Sequence, residues 1–135
     1  MRKNGIINQP IASVIAGLGH TDTLVIADAG LPIPPETTRI DLALEKGIPA
    51  FLDTLRVVLS EMHIEKVIVS EDILTVSPKM YEAIKVLVGD TPIEAIAHTS
   101  FKEQTGSARA IIRTGEFTPY ANVILVSGAW GFDLS

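Results

Sequence analysis

The sequence predicts an α/β fold, a three-layer α/β/α arrangement around a predominantly parallel (mixed) sheet of about six strands. Two observations carry this. Short apolar runs alternate along the chain with segments whose apolar residues recur at helical spacing, the pattern of strands joined by crossover helices. Hydrophobic residues make up 47% of the chain but aromatics only 5%, so Ala, Val, Ile and Leu must fill the core. At 135 residues the chain is long enough for a real core and reads as one domain. No internal repeat, low-complexity segment or linker divides it.

The elements follow in order. Ile11, Val14, Ile15 and Leu18 mark one face of a first helix. Pro10 sits in its first turn, where a missing N–H costs nothing, with Asn8 or Gln9 just outside. Gly19 can adopt the left-handed conformation that stops it, leaving His20 at the head of a strand. Leu24-Val25-Ile26-Ala27 reads as a short buried strand with Asp28 at its carboxyl end. Three prolines in Ala29–Pro35 forbid helix there. Arg39–Leu44 begins with polar–apolar alternation and reads as a half-buried strand. Pro49 opens a second helix whose apolar face holds Leu52, Leu55, Val58, Leu59 and Met62, and Val67-Ile68-Val69 is a buried strand.

Ser77-Pro78 supplies an N-cap and first-turn proline for a third helix carrying Ile84, Leu87 and Val88. Ile93–Ala97 is a strand ending at His98, and Ser100 with Glu103 has capping-box spacing for a short helix. Ala108–Arg113 and Val123–Val126 are the last two strands.

Composition excludes several classes of function. A formal charge of −5 offers no basic field for nucleic acid. Without cysteine there is no disulfide, thiol nucleophile or thiolate metal site, which fits a reducing cytoplasm. Met1-Arg2-Lys3 superficially resembles the start of a secretion signal, but Asn4, Asn8, Gln9 and Pro10 interrupt it. No apolar run approaches the roughly 18 residues of a membrane span. His20, His63 and His98 lack metal-ligand spacing. Neither a dinucleotide fingerprint, a phosphate loop nor a serine elbow is present.

What remains is proton transfer by side chains, with no cofactor and no metal. Asp28, His98 and the loop from Arg113 all lie just past strands, at the edge where α/β sheets gather ligands. His20, before the first strand, is a fourth candidate, and that edge is the expected meeting place. Each has a plainer reading as well: a histidine at a helix end caps carbonyls, and an aspartate after a strand bonds the backbone two residues on. His63 reads as structural. The loop Arg113-Thr114-Gly115-Glu116-Phe117-Thr118-Pro119-Tyr120-Ala121-Asn122 is either a Gly- and Pro-punctuated turn or a recognition surface for a hydroxyl-rich ligand. Histidine, carboxylate, phenol and amide suit a sugar, whose cyclic hemiacetal opens when one proton leaves the anomeric hydroxyl and another reaches the ring oxygen.

Gly19-His20-Thr21-Asp22, Asp28–Pro34, Ile40-Asp41-Leu42 and Arg113–Asn122 together resemble the D-ribose pyranase branch of the ribose-pyranase/fucose-mutarotase family, over about residues 5–126. The resemblance implies interconversion of the pyranose and furanose forms of D-ribose. It implies His20 as proton donor, with Asp28, His98, Tyr120 and Asn122 as substrate-binding residues. It also implies a ring-shaped homo-oligomer, often a decamer of two stacked pentamers, with sites near subunit boundaries. Leu31-Pro32-Ile33-Pro34 and Phe117-Thr118-Pro119 favour ribose over the fucose branch. Glu71–Gly89 carries no motif of the family, and the tail after Ser127, including Trp130, is atypical of it.

Overall fold

The computed structural model describes residues 1–129; Trp130, singled out in the tail, lies outside the described residues. The elements run α1 (Gln9–Gly17), β1 (Thr23–Ala27), β2 (Arg39–Asp41), α2 (Phe51–Leu59), β3 (Ile64–Ser70), α3 (Ile73–Val76), α4 (Pro78–Val88), β4 (Ile93–Ile96), α5 (His98–Thr105), β5 (Ala110–Arg113) and β6 (Val123–Ser127). They build one six-stranded sheet in the order β2-β5-β1-β6-β3-β4. All neighbours pair in parallel except β6, which runs antiparallel to both β1 and β3. The sheet is therefore mixed, and the inverted strand lies inside it.

Alternation along the strands divides the core between the two faces. Leu24 and Ile26 of β1 pack with Ile11 of α1, Phe51, Leu55 and Val58 of α2, Ile73 of α3 and Ile84 and Val88 of α4. Val25 and Ala27 point the other way, to Phe101 of α5 and Leu31 of the proline-rich loop. Two apolar layers thus cover the sheet, the second a thin one. No helix among the described residues is long and apolar enough to cross a membrane.

Several local expectations are corrected. Asn8 caps α1 by accepting from the Ile11 N–H at 3.0 Å, but the helix ends before Gly19. Leu18 is extended at its C-cap, and the left-handed residue of this turn is Thr21, at φ 72°. β2 stops at Asp41, because Asp41 Oδ1 turns back to accept from the Ala43 N–H at 3.0 Å. The capping box at Ser100 does not form: α5 already begins at His98, with Ala97 as N-cap. Ser77 makes no side-chain cap on α4; its hydroxyl donates instead to the Pro119 carbonyl at 2.6 Å. The short α3 went unforeseen, since four residues are too few for a periodic signal.

Candidate active site

One edge of the sheet is where β1, β3 and β4 end and β6 begins. The antiparallel register that pairs Ile26 with Val123 sets Asp28 beside Asn122. Asn122 is 1% exposed and uses both ends of its amide. Its Oδ1 accepts from the Asp28 backbone N–H at 2.8 Å, and its Nδ2 donates to Asp28 Oδ2 at 3.1 Å. Asp28 Oδ1 accepts from the N–H groups of Gly30 and Leu31 at 3.0 and 2.8 Å. Burial pushes this carboxyl above its ordinary range, and the bonds from Gly30, Asn122 and Leu31, with the nearby His98 charge, pull it partly back.

Tyr120 holds a left-handed backbone, φ 62°, closed by the Asn122 N–H donating to its carbonyl at 2.8 Å. A bulky residue there is conformationally costly, and such cost collects at functional sites. The conformation brings the phenol ring edge-on to His98, with centroids 5.0 Å apart at 89°. His98 also stacks on Phe101, with centroids at 6.2 Å. Its Nδ1 lies 3.1 Å from the Ser70 hydroxyl at the end of β3. Asp28, His98, Tyr120 and Asn122 thus share one edge, each half-buried or buried and each held by a named partner.

His20 does not join them within the chain. It precedes β1, whereas Asp28 follows it, and a strand rising about 3.3 Å per residue separates the two ends by roughly 15 Å or more. The shared edge expected for all four candidates therefore holds three, and His20 lies at the opposite edge. There His20 Nε2 sits 2.8 Å from Glu65 Oε2, and both side chains are well exposed, at 42% and 38%. A surface pair of this kind adds only about 0–1 kcal/mol to stability.

The loop from Arg113 to Asn122 carries out two tasks. Arg113 Nε donates to the Ala29 carbonyl at 3.0 Å, and its Nη1 donates to both Asp41 carboxylate oxygens at 3.2 Å. Glu116 accepts from the Ala29 N–H through its own carbonyl at 2.8 Å. Its carboxylate accepts from Phe51 N–H at 3.0 Å and from the Thr118 hydroxyl at 2.7 Å. Since Ala50 offers α2 no side-chain cap, Glu116 supplies one from a distant part of the chain. The first half of the loop braces the fold and the second half, Tyr120 and Asn122, faces the site.

A cleft of about 340 Å³ opens beside Asp28, lined also by Ala29, Gly30, Arg113, Glu116 and Phe117. A larger cavity of about 510 Å³ lies elsewhere, against α1, the turn before β3 and the end of β6, and His63 lines it with Arg2 and Glu61. Of Asp28, His98, Tyr120 and Asn122, only Asp28 lines the smaller cleft, where Arg113 and Glu116 join it. Among the described residues no three His, Asp or Glu side chains are grouped as metal ligands would be. Ser70 and Glu65 escaped sequence reasoning. A serine closing an apolar strand and a glutamate beside a lysine give no local signal, and only the fold pairs them with histidines.

The sequence matches the family model described as the RbsD / FucU transport protein family over residues 1–130. This chain belongs to the RbsD/FucU family. A D-ribose pyranase of Geobacillus thermodenitrificans (strain NG80-2) is 55% identical over 128 residues, covering 95% of this chain and 97% of that one. Among solved structures, Bacillus subtilis RbsD complexed with D-ribose superposes with a TM-score of 0.93 at 48% identity, covering 96% of this chain and 98% of that one. FucU from Bifidobacterium longum shares the fold, with a TM-score of 0.79 at 24% identity, covering 91% and 96%.

Proposed function

We propose that this RbsD/FucU family member is a D-ribose pyranase, an isomerase that interconverts the pyranose and furanose forms of D-ribose without a cofactor. The observation that carries the reading is near-full-length likeness, at about half identity, to a protein named D-ribose pyranase and to an RbsD solved with D-ribose. The chemistry of the candidate site agrees with it. Asp28, held by Asn122, offers a carboxylate to sugar hydroxyls at the edge of a cleft, and Tyr120 meets His98 beside it. His20 is the proton donor, and Asp28, His98, Tyr120 and Asn122 bind the sugar.

The reaction then needs few parts. His20 gives a proton to the ring oxygen as the anomeric hydroxyl loses its own to water, the C1–O5 bond breaks, and an open aldehyde forms. On reclosure the C4 hydroxyl attacks C1, its proton returns to the imidazole, and the carbonyl oxygen regains one from water. General acid–base help of this kind is worth about 10²–10⁴ in rate, enough for a ring that already opens unaided.

Because His20 stands at the far edge of its own chain, a neighbouring copy brings it to the Asp28 edge. The assembly is a ring-shaped homo-oligomer, a decamer of stacked pentamers, acting in the cytoplasm. Saturation-transfer NMR on ribose tests the reading, run beside fucose and galactose. Faster exchange between pyranose and furanose signals of ribose supports it. Acceleration confined to fucose would make the protein a fucose mutarotase, and ribose binding with unchanged exchange would make it a non-catalytic binder.

A further inference from the structure

Three features converge on His20 from different parts of the chain. β3 pairs Ile64 with Ser127 but Lys66 with Val126, so Glu65 is the extra residue of a β-bulge. A bulge swings one side chain out of the regular alternation, and bulges recur beside active sites. Thr21, next to His20, is β-branched yet left-handed at φ 72°, an outlier that something must hold. Its N–H donates to the Ser127 carbonyl at 2.9 Å, tying the histidine's loop to the strand that faces the bulge. Asp22 braces the same loop. Its Oδ2 accepts from the Gly19 N–H at 2.8 Å, and Arg109 lies 3.2 Å from it. The outcome is His20 Nε2 at 2.8 Å from Glu65 Oε2, between side chains too exposed for the pair to serve stability.

We infer that Glu65 is a positioning residue for His20. Its carboxylate accepts the Nε2–H, fixes the ring's direction and tautomer, and leaves Nδ1 as the atom that exchanges protons with the sugar. This rests on the ribose-isomerase reading for its catalytic half only. A histidine nitrogen bonded to a carboxylate keeps its proton there, so the free nitrogen alternates between donor and acceptor. Such alternation is what opening and reclosing one ring require of one group. The backbone conformation at Thr21 and the bulge at Glu65 are the structural means of holding the two side chains in register.

The test uses the whole chain carrying Glu65→Ala or Glu65→Gln. Nitrogen-15 NMR reads the His20 tautomer at a pH where the ring is neutral, and saturation transfer reads ribose exchange. In wild type the Nε2–H tautomer dominates. Glu65→Ala relaxes the tautomers to the mixture of a free histidine side chain, with more Nδ1–H than in wild type, and lowers kcat about tenfold, with KM within about twofold, because general acid–base catalysis is weakened and sugar contacts are not. Glu65→Gln, whose amide oxygen still accepts from Nε2–H, keeps the wild-type tautomer and most of the rate. Wild-type exchange by Glu65→Ala overturns the inference whatever the tautomer does, and so does a lost rate with an unmoved tautomer. Should wild type itself fail to accelerate ribose exchange, the functional reading falls, while the tautomer measurement still decides whether Glu65 orients His20.

Discussion

Asn122 grips Asp28 from two directions, accepting its backbone N–H at 2.8 Å and donating to its carboxylate at 3.1 Å. The amide is buried and the carboxyl, half-buried, is raised by that burial, so the amide has no water to replace a lost partner. Asn122→Ala is therefore expected to cost about 1–3 kcal/mol of stability, the usual effect of stranding a buried polar group. It should also raise the KM for ribose more than it lowers kcat. Urea denaturation with exchange kinetics checks this, and an unchanged KM would separate the clamp from sugar binding.

Glu116 ties the signature loop to the start of α2. Its removal in Glu116→Ala should destabilise by about 0.5–2 kcal/mol, the range for lost helix caps. The pH dependence has a definite sign. Burial raises the carboxyl, but bonds from Phe51, Thr118 and Phe117 outweigh it and leave it below its ordinary value of 4.5. A lowered carboxyl contributes stability that is fully present above the unfolded value and is lost as pH falls through the folded one. Stability curves of wild type and Glu116→Gln should accordingly converge below about pH 4.5.

Gly115 has no room for a side chain. A Cβ there would lie 2.5 Å from the Glu45 carbonyl oxygen and collide with that of Ile48. Both obstacles are backbone, which cannot swing aside. Gly115→Ala should cost about 1–3 kcal/mol by overpacking, seen as a lower Tm with ribose exchange retained in the fraction that folds.

Tyr120→Phe keeps the ring that meets His98 edge-on and deletes only the hydroxyl. Weaker ribose binding in an oligomer of unchanged size is the expected result, measured by titration and analytical ultracentrifugation. A change of oligomer size with intact ribose exchange would instead make this loop a packing element.

Much of the layout was legible because it rests on local pattern. The run Leu24–Ala27, the Pro10 helix start and the spacing of Leu55 and Val58 act within a few residues. The alternation of strands and helices could not reveal that β6 runs against its neighbours, since strand direction depends on where a connection leads. The positions of Asp28 and His98 at one edge were legible for the same reason, both being placed by strand ends. The shared edge failed for His20, because a residue ahead of β1 lies at the edge opposite the one where β1 ends. Nor could the reach of the loop at Arg113 be read, for Glu116 bonds the start of α2 and Asn122 bonds Asp28, both far away in the chain.

Co-expression of His20→Ala with Asp28→Asn, read by saturation transfer on ribose, tests most directly whether one copy's imidazole serves another copy's carboxylate. Each variant alone is expected to be silent. In a random equal mixture about a quarter of the sites would draw both intact residues from different copies, so exchange should return to about that fraction of wild type. A mixed oligomer as silent as its parents would contradict the shared site.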